Sequence, residues 1–81
     1  MRVRILVSFK DGILDPQGQT VMNALRTLGY AAVQDVRQGK VFEVELAGIG
    51  RDEAERLVPE ISGKVLANPT IEKFDWQILE D

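Results

Sequence analysis

The sequence predicts an α+β domain in the order βαββαβ, with an antiparallel sheet carrying two helices on one face. Three observations lead there. Two-residue alternation of apolar and polar side chains marks strands near both ends and in the middle of the chain. Between them lie two stretches whose apolar residues recur at helical spacing, and glycine or proline stands at most of the joints.

Taken in order, Arg2 to Phe9 is the first strand, with Val3, Ile5, Val7 and Phe9 on one face and Arg2, Arg4 and Ser8 on the other. Leu6 breaks the polar face, which implies partial cover on that side by this chain or a partner. Lys10 to Leu14 is a loop. Asp15 followed by Pro16 reads as the N-cap and first position of a helix running to Leu28, with Val21, Leu25 and Leu28 on its inner stripe. Gly29 is its expected left-handed stop. Gly18 is costly in a first turn, by about 0.5–1 kcal/mol relative to Ala, and so suggests a close backbone approach.

Tyr30 to Arg37 is expected as the second strand and Val41 to Leu46 as the third, joined by a tight hairpin at Gln38, Gly39 and Lys40. In the third, Phe42, Val44 and Leu46 oppose Glu43 and Glu45. Asp52 is the expected cap of a second helix bearing Ala54, Leu57, Val58, Ile61 and Val65. Pro59 inside it predicts a kink near Glu55 to Leu57, or a helix split in two. Asn68 and Pro69 end it, and Ile71 to Leu79 is the last strand, with Phe74, Trp76 and Ile78 on one face. This order is that of a split βαβ unit of the ferredoxin-like kind.

The 81 residues are expected to form a single domain, 1–81, near the size below which one core needs help from self-association. There is no Cys and no His, so thiolate and imidazole chemistry are excluded and metal binding would rest on carboxylates alone. A net charge of −3 and five aromatics argue against a nucleic-acid module, which needs a concentrated basic face. No apolar run nears the ~20 residues that span a bilayer, and MRVRILVSF is too short and strand-like for a secretion signal, so a cytoplasmic protein is expected.

Four places exceed the core pattern. Asp15, Pro16, Gln17 and Gly18 read as a helix cap or as a docking surface built on exposed helix amides. Val36 to Lys40, with Arg37 and Lys40 flanking Gly39, reads as a solvated turn or as a contact for an acidic partner. Leu66 to Glu72 contains Asn68–Pro69, which favours a sharp helix exit. Glu53, Glu55 and Glu60, with Glu43 and Glu45, read as a solvated acidic face, since no cation or nucleophile accompanies them.

These segments together resemble a known family. ILDPQGQTVMNALRTLGY (Ile13 to Tyr30), VQDVRQGKVFEVEL (Val33 to Leu46) and KVLANPTIEKFDWQI (Lys64 to Ile78) are similar to the PurS small subunit of phosphoribosylformylglycinamidine (FGAM) synthase. The resemblance implies a small subunit without an active site, in a purine-synthesis complex. A PurQ-type glutaminase subunit there releases ammonia, and a PurL-type synthetase subunit uses ATP and Mg to place it on formylglycinamide ribonucleotide. The small subunit bridges the two and helps ammonia transfer. The resemblance implies no cofactor in this chain, a homodimer or homotetramer, and no nucleic-acid or membrane partner. Carried over as interface or fold-defining candidates are Asp15, Pro16, Gln17, Gly18, Arg37, Gly39, Lys40, Asn68 and Pro69. Two departures are that Thr20 stands where the family often has Ala and that Pro59 interrupts a usually continuous helix. The alternative from another class is a ferredoxin-like regulatory module that binds a small molecule.

Overall fold

In the computed structural model, which describes residues 1–81, β1 (Arg2–Phe9) forms because its alternation lets Val3, Ile5 and Val7 leave water together. It is the central strand of a three-stranded antiparallel sheet, with β2 (Gly39–Glu45) on one side and β3 (Glu72–Glu80) on the other. Val3 faces Val44 and Ile78, Ile5 faces Phe42 and Trp76, and Val7 faces Lys40 and Phe74. A shift between Arg2 and Val3 interrupts the pairing with β3.

The chain crosses the inner face of this sheet as α2 (Arg51–Ile61). Ala54 and Val58 of that helix, with Ala67 beyond it, complete the buried core around β1. Met1, Phe42, Val44, Leu46, Ile49, Leu66, Phe74, Trp76 and Ile78 pack against it while remaining half-buried. On the outer face, Arg4 meets its register partner Glu43 at 2.7 Å, and Arg2 reaches Glu45 at 3.1 Å and Glu80 at 3.6 Å. These pairs are exposed, so each is worth at most about 1 kcal/mol, and their main effect is to favour one register.

The other helix, α1 (Pro16–Thr27), forms where its cap and stop residues place it. Asp15 is the N-cap, and Gly29 takes φ +102° just past the end. The ferredoxin-like α+β class holds, with an antiparallel sheet as expected. One part of it does not: α1 supplies no residue to the core, and Val21 and Leu28 on its apolar stripe are exposed. The molecule is correspondingly long, 51 × 26 × 14 Å, with a radius of gyration of 16.1 Å. A compact chain of this length would have about 12 Å.

The expected second strand, Tyr30 to Arg37, is not a strand. Its backbone groups are taken elsewhere. The Val36 amide donates to Asp35 Oδ1 (2.9 Å) and the Val33 carbonyl accepts from Arg26 Nε (2.8 Å), and just past the segment the Gln38 amide donates to Asp15 Oδ2 (2.7 Å). The larger apolar residues of the segment, Tyr30, Val33 and Val36, recur every third position and so give no two-residue alternation for a sheet face; no neighbouring strand meets the segment within this chain, and the outer edge of β2 is open.

The hairpin at Gln38 to Lys40 is likewise absent, because Gly39 and Lys40 already belong to β2, opposite Ser8 and Val7. Glycine is needed at 39 for closeness, since a Cβ there would lie 2.8 Å from the Val7 carbonyl oxygen.

α2 is capped by Gly50, with no side-chain bond, and Asp52 lies in its first turn, where its charge favours the helix dipole. Of the two outcomes expected for Pro59, the helical stretch does come in two pieces, although the division falls after the proline. The α-helix runs through Pro59 to Ile61 and opens into a π-helical turn, Ser62–Leu66. Asn68 and Pro69 end the helical stretch as expected. The Asn68 side chain accepts from the Thr70 amide (3.1 Å), forming a local turn into β3. No helix is long and apolar enough to cross a membrane.

Candidate functional site

Antiparallel pairing places the C-terminal end of β1 beside the N-terminal ends of both β2 and β3. The three motif segments all attach at that end of the sheet, although up to half the chain separates them.

At its centre is Asp15, only 2% exposed. Its Oδ1 accepts from the Gly18 amide at 2.8 Å, as an N-cap should, and its Oδ2 accepts from the Gln38 amide at 2.7 Å. The cap reading is therefore right and incomplete. The Gln38 amide first, and the Gly18 amide next, hold the carboxyl below its ordinary value of 3.8, with Arg37 adding a weaker pull and burial opposing them.

The close approach that Gly18 suggested is also present. A Cβ at that position would lie 2.1 Å from the Val36 carbonyl oxygen, which only glycine permits. Around this contact, Gln38 Nε2 donates to Gln17 Oε1 (2.9 Å) and Arg37 Nη2 donates to the Lys10 carbonyl (3.3 Å). Pro16 is exposed at the first helical position.

The third segment joins through β3. The Lys10 amide donates to the Ile71 carbonyl (2.9 Å), closing the loop after β1 onto the loop before β3. Glu72 accepts from the Asn68 amide (2.6 Å) and lies 3.9 Å from Lys40 Nζ. Asn68 and Pro69 are exposed beside it. All nine candidate residues therefore lie around one end of the sheet. Asp15, Gly18 and Gly39 shape the backbone, while Pro16, Gln17, Arg37, Lys40, Asn68 and Pro69 face solvent.

Two features were not singled out as site residues. Glu72 is the tie between the second and third segments, and its side chain is only 12% exposed. It sits inside the motif, but nothing local shows that Lys40 and Asn68 converge on it. The other is a shallow cavity of about 250 Å³ on the outer face, lined by Arg4, Leu6, Val41, Asp75, Trp76 and Gln77. Leu6 was visible as an apolar break in the polar face. Val41 is opposite it in the β1–β2 register, and both are exposed. Glu53, Glu55 and Glu60 are exposed on α2, and Glu60 pairs with Lys64 at 3.6 Å, one turn along.

Comparison with known proteins agrees with this arrangement. The family model described as "PurS: Phosphoribosylformylglycinamidine (FGAM) synthase" matches residues 2–80. The phosphoribosylformylglycinamidine synthase subunit PurS of Bacillus subtilis is 42% identical over 79 residues, covering 98% of this chain and 93% of that protein. A crystal structure of B. subtilis PurS superposes with a TM-score of 0.88 at 42% identity, covering 98% of each chain. A chain in the structure of PurLQS from Thermotoga maritima gives a TM-score of 0.83 at 25% identity, covering 94% of this chain and 93% of that one. With the family model matching nearly end to end, and the fold shared with solved members, the chain belongs to the PurS family of FGAM synthase.

Proposed function

We propose that this chain is the small, non-catalytic subunit of an FGAM synthase complex in cytoplasmic de novo purine synthesis. It bridges a PurQ-type glutaminase subunit and a PurL-type synthetase subunit, and assists ammonia transfer as formylglycinamide ribonucleotide and glutamine yield formylglycinamidine ribonucleotide. The observation that carries this reading is the match, over 94% of the chain, to a chain of the T. maritima PurLQS structure.

The residue inventory supports it. Glutamine hydrolysis by a Cys nucleophile with a His partner needs two residue types absent from this sequence, so in this reading that step belongs to a partner. ATP and Mg belong to the synthetase subunit. Free ammonia is lost to protonation and diffusion in water, and a subunit that holds two active sites in fixed relation reduces the loss.

Within the reading, the exposed residues at the shared end of the sheet, Pro16, Gln17, Arg37, Lys40, Asn68 and Pro69, form the docking surface, and Asp15, Gly18 and Gly39 hold its shape. The chain also self-associates, as a homodimer or homotetramer. Support comes from the exposed apolar residues Leu14, Val21, Leu28 and Tyr30, and from an inner sheet face that α2 leaves half-open.

The test is synthase activity of the two partner subunits with and without this chain, using either glutamine or ammonium as nitrogen donor. Dependence on the chain in the glutamine-driven reaction alone is expected. If neither reaction responds and no complex forms, the bridging reading is wrong.

A further inference from the structure

The chain leaves the sheet at Phe9 and re-enters it at Gly39, which pairs with Ser8, the residue before Phe9, across the β1–β2 ladder. Everything between them, Lys10 to Gln38, is an arm: α1 going out and an extended segment coming back. None of its residues joins the buried core or packs against it. An arm on two adjacent stalks, without core packing, swings about the line between them unless something ties the stalks together.

Two of the ties are weak. Gln38 to Gln17 and Arg37 to the Lys10 carbonyl are exposed side-chain bonds that compete with water. Asp15 is different. Its carboxylate is 2% exposed, and its two oxygens serve two stalks: Oδ1 takes the Gly18 amide on the outgoing one and Oδ2 the Gln38 amide on the returning one. The Gly18 backbone, packed against the Val36 carbonyl, closes the same junction from the other side.

We infer that Asp15 and Gly18 form a lock that fixes the direction in which the α1 arm leaves the sheet, a task separate from capping the helix. Locking costs the free chain little once the junction is buried, and it presents the exposed stripe of α1 at a set angle to anything that binds it. The lock is a property of one chain and does not depend on the subunit role proposed above.

Asn at position 15 separates the two tasks. Asn is as good an N-cap as Asp, so its one oxygen keeps the bond from the Gly18 amide, while the NH2 that replaces Oδ2 cannot accept from the Gln38 amide. With no native Cys, spin labels can be placed at Thr27→Cys on the arm and Gln77→Cys on β3. Distances are measured by pulsed electron paramagnetic resonance, with the labelled chain diluted in excess unlabelled chain so that only intramolecular pairs are read.

The expected result is one narrow distance peak for the parent and loss of that peak for Asp15→Asn, with far-ultraviolet circular dichroism unchanged. An equally narrow, unshifted peak in Asp15→Asn reduces Asp15 to a cap and overturns the inference. If Asp15→Asn does not fold, Gly18→Ala decides. It keeps the carboxylate and pushes the stalks apart, so the peak must shift or broaden, and an unchanged peak overturns the lock.

Discussion

Ser62 is fully buried where α2 opens into its π-helical turn, and its hydroxyl has no hydrogen-bond partner. An unpaired hydroxyl in the interior costs roughly 1–3 kcal/mol of desolvation, while truncation to Ala removes little volume. Ser62→Ala is therefore expected to stabilise the chain by up to about 1 kcal/mol, read as a higher urea midpoint; a lower midpoint would show that the hydroxyl is satisfied in solution. Asp15 gives the opposite dependence on its charge. Its carboxyl is held below 3.8 in the folded chain by the Gln38 and Gly18 amides. A group with a depressed folded value contributes stability above its unfolded value and loses it as pH falls through the folded one. The contribution is thus intact at neutral pH and fades from below about pH 5 downward. Asp15→Asn should flatten that part of the urea-midpoint profile, and a profile parallel to the parent's would contradict the assignment.

At the scale of elements, the two helices divide the work. α2 buries Ala54 and Val58 on β1, whereas α1 gives no residue to the core and keeps Val21 and Leu28 in solvent with Leu25 half-buried. Leu28, 74% exposed at the end of α1, has nothing within the chain to lose. Leu28→Glu should leave the stability of the dilute monomer within about 0.5 kcal/mol of the parent. On the proposal that the chain self-associates, the substitution should also weaken that association, seen in sedimentation equilibrium as a shift toward monomer mass. An unchanged mass distribution would remove Leu28 from the association surface. The two helices, the cap and stop of α1, and the three strands of the sheet were legible from the chain alone because capping, left-handed glycine and alternation act over a few residues; the cap of α2 was not, since Gly50 takes the place expected of Asp52. The strand expected at Tyr30 to Arg37 does not form. It lacks two-residue alternation, a ladder needs a partner strand, and Asp35 and Arg26 take up backbone groups such a ladder would use. Pro59 foretold a divided helix but not where it divides: the α-helix continues two residues past the proline before the π-helical turn begins.

For the whole molecule, the absence of Cys and His, the acidic balance and the three quoted segments were enough to reach the PurS family before any coordinates. They located the candidate residues as separate clusters. Bringing Asp15, Gly18, Gly39, Lys40, Asn68 and Glu72 to one end of one sheet required the antiparallel order β2-β1-β3, which places three strand ends side by side. So the sequence by itself determined the class, the helices and the family, all of which rest on short-range pattern or on residue identity. Only the tertiary structure decided that Asp15 bonds to Gln38, that Gly18 is glycine because of Val36, and that α1 stands off the core. Each of these depends on how segments far apart in the chain approach one another, and no periodicity along the chain encodes that distance.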